Sequence, residues 1–168
     1  MIELFRVAGE LQSFCESQNW SFCFIGGLAL QRWGEVRETI DVDLTLLTGF
    51  GSEEPYIHKL LGKFAARIPD AGAFARANRV LLLKSTSGVG IDIAFGALPI
   101  EESAVSRSSL FELPGGPQLR TCSAEDLIVM KAFAARPRDW LDIEGIIIRQ
   151  PASWNGSTSA TRSNPLQN

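Results

Sequence analysis

Two aspartates separated by one residue, Asp41 and Asp43, interrupt the apolar run TIDVDLTLL, and a third, Asp92, interrupts GIDIAF. In an extended chain, residues two apart project to the same side, roughly 6 to 7 Å from one another at the backbone. Like charges that close repel, and the pair becomes favourable when a divalent cation lies between them. Magnesium takes such hard oxygen ligands, usually one or two carboxylates together with substrate phosphates. Upstream, the run FCFI ends at Gly26 and Gly27. A strand that turns there into a helix exposes backbone N–H groups that a polyphosphate can approach. Carboxylates that hold metal beside a phosphate-seating turn are the parts that phosphoryl or nucleotidyl transfer requires, since positioning and charge neutralisation carry most of that catalysis.

Few other residues offer chemistry. His58 is the single histidine, which removes multi-histidine metal sites, and its place in EEPYIHKLLGKF makes it a surface helix residue. Cys15, Cys23 and Cys122 form no CxxC pair and suit small buried residues in a reducing compartment. A net charge of −3 argues against a broad basic face for duplex DNA or anionic membranes. The N-terminus lacks the basic and long apolar regions of a signal peptide, and no apolar run reaches membrane-spanning length. A cytoplasmic protein with no membrane partner is therefore expected.

The elements that must position these groups follow from periodicity. Leu4, Val7, Ala8, Leu11 and Phe14 predict an amphipathic first helix. Residues 20–25 predict a buried strand, LALQRW a short helix, and 39–47 a second strand with Ile40, Val42, Leu44 and Leu46 on its apolar face. A helix is expected over 53–67, stopped by Ile68, Pro69 and Asp70. RVLLLKS and VGIDIAF predict a hairpin around TSG, PIEESAVSR a short helix, and SLFEL with PQLRT a smaller hairpin. Ser123 with Asp126 caps a helix over SAEDLIVMKAFAAR, and Pro137 separates it from a last helix. Trp20, Trp33, Trp140 and the phenylalanines are expected in the core. This order predicts an α/β (α+β) chain whose mixed, mainly antiparallel sheet is backed by helices. Residues 1–122 would form its core and 123–150 a C-terminal helical segment packed on it. Residues 151–168, rich in Ser, Thr, Asn and Pro, have the composition of a disordered tail.

The ordered set IGGLAL, RETIDVDL and GIDIAFG, with residues 28–40 between Gly27 and Asp41, resembles the nucleotidyltransferases of polymerase-beta-like fold, and among them the AbiEii toxin-like branch. EDLIVMKAFAARPRDWLDIEGI is similar to the late helices of that branch, and the resemblance spans about residues 20–148. It implies that Asp41 and Asp43 hold two magnesium ions. Asp92 would hold one of them and help to deprotonate the attacking hydroxyl. Gly26 and Gly27 would contact nucleotide phosphates. Arg37, Thr39 and Lys131 match polar positions that touch phosphates or the acceptor, and Asp139 would order Lys131 or a neighbouring arginine. The implied activity is transfer of a nucleoside monophosphate from an NTP to an RNA or protein hydroxyl, in a toxin paired with an antitoxin. The alternative is a catalytically silent nucleotide-binding or regulatory partner, since the chain turns to Ser, Asn and Pro after Gln150 where such relatives continue helically. On residue type alone, Lys131 suits an exposed helix charge, and Arg136 with Arg138 a helix-end charge cluster.

Overall fold

A computed structural model describes residues 2–150 of the chain, so the tail expected over 151–168 lies outside the described residues. Helix α1 (Ile2–Ser17) buries Leu4, Val7, Ala8 and Leu11, the expected apolar stripe. Strand β1 (Phe22–Phe24) runs straight into α2 (Gly26–Trp33), and β2 (Asp41–Leu47) follows. Then come α3 (Glu54–Lys63), β3 (Ala65–Ala66), α4 (Ala71–Asn78), β4 (Val80–Lys84) and β5 (Gly90–Gly96). The chain closes with α5 (Pro99–Ser106), β6 (Ser109–Glu112), β7 (Gln118–Thr121), α6 (Ala124–Ala134) and α7 (Pro137–Arg149).

Among the described residues the strands form one seven-stranded sheet in the order β3-β4-β5-β2-β1-β7-β6. Both expected hairpins are present as antiparallel pairs, β4 with β5 and β6 with β7. Two pairings are parallel, β2 with β5 and β1 with β7. The mixed, mainly antiparallel sheet backed by helices is thus the fold observed.

Alternation along the central strands separates core from site. Val42, Leu44 and Leu46 of β2 and Ile91, Ile93 and Phe95 of β5 join the principal core with residues of α1, α3 and α4. Asp41, Asp43 and Asp92 stand at the alternate positions, on the opposite face. A second apolar cluster lies there, in which Leu30 of α2, Ala104 of α5, Leu127 of α6 and Ile146 of α7 meet Cys23 and Cys122. Ser123 caps α6 as expected, its hydroxyl accepting from the Asp126 amide at 3.1 Å.

Four expectations need correction. Ile40 lies before β2 and is 74% exposed, because the strand begins only at Asp41. The helix expected over 53–67 ends at Lys63, and Ala65–Ala66 pair with β4 instead; Pro69 disfavours helical backbone just before it. Helix α4, only eight residues long with Ala71 and Ala75 as its buried positions, is an element the sequence reading does not include. Trp140 is more than half exposed, as are Phe50 and Phe133, whereas Trp20 and Trp33 pack against the apolar clusters. His58 is exposed on α3 and the three cysteines are free and buried, both as expected. No helix of the described residues is long and apolar enough to cross a membrane.

Candidate active site

The floor of the site is laid by parallel pairing of β2 with β5, which sets Asp43 directly opposite Asp92 and Asp41 opposite Gly90. All three aspartates line one cleft of about 650 Å³, together with Gly26, Gly27, Arg37, Thr39, Lys131, Arg136 and Arg138. That volume suits a nucleotide-sized ligand.

Charge is concentrated on the floor. Burial pushes the Asp43 carboxyl up from its ordinary value of 3.8 to about 6, and the nearby Asp92 and Asp41 add to the shift. The nearby Gly27 backbone amide and Arg136 across the cleft act in the opposite sense. Burial also raises Asp92, against the pull of the Arg67 guanidinium. A floor that retains excess negative charge beside an arginine has the donor chemistry a divalent cation requires.

The two glycines are demanded by close packing. Gly26 begins α2 in the left-handed region at φ +56°, and a Cβ there would lie 2.2 Å from Asp43 Oδ2. A Cβ on Gly27 would lie 2.3 Å from Thr39 Oγ1. The space that glycine leaves is therefore filled by the protein's own carboxylate and hydroxyl, which hold the start of α2 against the floor. Gly26→Ala is expected to cost roughly 1–3 kcal/mol of unfolding free energy in urea titrations. Gly51 offers the control, being left-handed at φ +77° with nothing within 4 Å of a Cβ. A larger loss in Gly26→Ala than in Gly51→Ala measures the displacement of Asp43.

The facing wall is an ion-pair chain between the last two helices and the loop before β2. Lys131 is buried, its Nζ donating to Asp142 Oδ2 at 2.6 Å and to Asp139 Oδ1 at 3.2 Å. Arg136 donates from Nε to Asp139 at 2.7 Å, and Arg37 grips both oxygens of Asp142 at 3.1 and 3.0 Å. Burial alone would raise Asp139 and Asp142, but these cationic donors outweigh it and hold both carboxyls below their ordinary range. Asp139 thus contacts both Lys131 and a neighbouring arginine. Arg136 and Arg138, at the junction of the two helices, face the cleft.

Three contributors escape sequence reasoning. Asp142 has a signal: it lies three residues after Asp139 and so shares a helix face with it. Arg67 falls inside the helix expected over 53–67, yet it pairs with Asp41 and Asp92. Gly90 acquires meaning only from the register that places it opposite Asp41.

The sequence profile described as the nucleotidyl transferase AbiEii toxin of type IV toxin-antitoxin systems matches residues 15–152. No curated protein matches the sequence. Among solved structures, the solution structure of antibiotic-resistance factor ANT(2'')-Ia is similar over 89% of this chain and 84% of that one, with 16% identity and a TM-score of 0.57. An antigenic nucleotidyltransferase-like protein from Paracoccidioides brasiliensis is similar over 89% of this chain and 76% of that one, with 17% identity and a TM-score of 0.57. The lincosamide antibiotic adenylyltransferase LnuA, solved with lincomycin bound, matches over 82% and 92%, with 13% identity and a TM-score of 0.50. At these identities the likeness is one of fold.

Proposed function

The chain belongs to the AbiEii nucleotidyltransferase toxin family, and on that premise we propose that it moves a nucleoside monophosphate from an NTP to a hydroxyl of an RNA or protein acceptor. Asp41, Asp43 and Asp92 hold two magnesium ions in this reading, with residues 1–122 supplying the floor and 123–150 the facing wall. The observation that carries it is the placement of these three carboxylates along one cleft, two of them with raised pKa, beside the close-packed start of α2. Bound magnesium supplies charge neutralisation at the phosphates.

The chain's own groups divide the remaining work. Backbone amides at Gly26 and Gly27 orient phosphate oxygens at the helix start. Arg136 and Arg138, which face the acidic floor, draw the triphosphate into the cleft, and Thr39 keeps Gly27 in place. Lys131 and Arg37, through Asp139 and Asp142, fix the distance from wall to floor. Asp92 takes the proton as the acceptor oxygen bonds to the α-phosphorus and pyrophosphate leaves. The three buried, free cysteines suit action in the reducing cytoplasm, with a cognate antitoxin as genetic partner.

Incubation with α-labelled nucleotides, magnesium and total RNA or lysate tests this. Label in a macromolecule, with release of pyrophosphate and loss of the signal in Asp43→Ala, is the expected result. No transfer from any of the four nucleotides, or transfer unchanged in Asp43→Ala, overturns it. Calorimetric nucleotide binding without transfer returns the alternative of a silent partner.

A further inference from the structure

Arg67 sits where the edge of the sheet meets the carboxylates. It follows the two-residue strand β3, and its backbone N–H donates to the Leu82 carbonyl at 3.0 Å, which anchors it at the rim of the floor. From there its guanidinium spans two aspartates: Nη2 donates to Asp92 Oδ1 at 2.5 Å, and Nη1 lies 3.6 Å from Asp41 Oδ1. Gly90 makes room for this bridge. A Cβ at Gly90 would lie 2.1 Å from Asp41 Oδ1 and 2.5 Å from Arg67 Nη1. Gly90 is not left-handed, so the glycine serves this contact rather than a turn.

Among the described residues Asp41 and Asp92 are the guanidinium's polar partners. Arg79 shows what a bracing arginine looks like in the same molecule: it donates to the Phe95 and Gly49 carbonyls, pairs with Glu53 and lies over the Phe50 ring. Arg67 has no such backbone acceptors, and 30% of its side chain is exposed, within reach of water and ions.

We infer that Arg67 is a resident counter-ion of the carboxylate floor, which a divalent cation displaces from Asp41 and Asp92. The inference rests on the reading above, in which Asp41, Asp43 and Asp92 hold that cation. A guanidinium and a metal ion compete for the same carboxylate lone pairs, and Arg67 supplies one diffuse charge where three carboxylates converge. Among the described residues no three acidic, histidine or cysteine side chains stand gathered as a metal cage, and the Arg67 guanidinium lies between Asp41 and Asp92. Arg67 holds the like charges together in the metal-free protein and lowers the apparent affinity for the cation.

Calorimetric titration of the metal-free full chain with Mn²⁺ at low salt tests this directly. Arg67→Gln, which loses the charge but keeps an amide donor, is expected to bind Mn²⁺ about tenfold more tightly than wild type. Arg67→Lys, which keeps the charge, is expected to stay within about threefold of wild type. In the unaltered protein, the Arg67 Nε–H resonance is expected to shift as Mg²⁺ is added; this readout does not depend on any variant folding. Binding in Arg67→Gln no tighter than in wild type, or an Arg67 resonance unmoved at saturating Mg²⁺, overturns the inference. Asp43→Asn separates the two levels. If wild type binds no Mn²⁺, or binding survives Asp43→Asn, the metal reading itself fails and this inference with it. If binding depends on Asp43 but ignores Arg67, the counter-ion role alone is wrong.

Discussion

Asparagine at position 43 gives a metal-free protein more stable at pH 7 than wild type, yet slower in nucleotide transfer by at least ~10³-fold. Both effects come from the same carboxylate. Asp43 is buried next to Asp92 and Asp41, and its folded pKa of about 6 stands above the ordinary 3.8. Between those values the Asp43 carboxyl binds more protons in the folded state than in the unfolded one, so its contribution to the stability of the metal-free protein falls as pH rises from about 4 through about 6 and then levels off. The penalty above pH 6 is worth roughly 2–3 kcal/mol. Asparagine keeps the shape and an oxygen for the Gly27 amide, and it removes the charge. Urea titrations in EDTA at pH 4 and pH 7 check the prediction: the advantage of Asp43→Asn over wild type is small at pH 4 and opens at the higher pH. Magnesium then stabilises wild type and leaves the variant unchanged, because only a state that binds the ion gains from it. A variant less stable than wild type at pH 7 in EDTA contradicts this account.

Lys131→Met carries the largest expected loss of stability. Methionine fills much of the same channel but leaves Asp139 and Asp142, both nearly inaccessible, without the cation between them. Breaking a buried pair by removing one partner is strongly destabilising. Arg136 and Arg37 still reach the two carboxylates, so the expected loss at neutral pH is roughly 2–4 kcal/mol. Its pH dependence identifies the cause. In wild type both carboxyls are held below their ordinary range, so the network's contribution is present above about pH 4 and disappears as pH falls through the folded values. Acidification should therefore bring the variant and wild type together. Asp142→Asn in the same chain should restore part of the loss, through removal of the uncompensated charge. An equal deficit at pH 3 and pH 7 would mean that packing, not charge, is what lysine supplies.

The floor of the site is legible in the amino-acid sequence because strand alternation is a strong signal. Three aspartates on otherwise apolar strands, with two glycines ahead of them, can be read from TIDVDL, GIDIAF and IGGLAL alone. The wall is half legible. Lys131 and Asp139 stand out, whereas the grip of Arg37 on Asp142 joins residues far apart in sequence and belongs to tertiary structure. Arg67 is lost to a helix drawn too long: the period through Phe64 gives no sign that Ala65 and Ala66 pair at a sheet edge. Trp140 and Phe133 are misplaced because size and apolarity promise burial, although helices at the end of a fold carry one face that none of the described residues covers.

Because β2 and β5 lie side by side in parallel, the whole stretch from Thr48 to Val89 must be threaded between them before Asp43 can meet Asp92. An unfinished polypeptide on the ribosome that stops short of Asp92 therefore owns two of the acids and no floor, and Lys131 with its partners emerges later still. In the proposed reading this sets an order of events: no transfer can begin before the segment through Asp142 has been made.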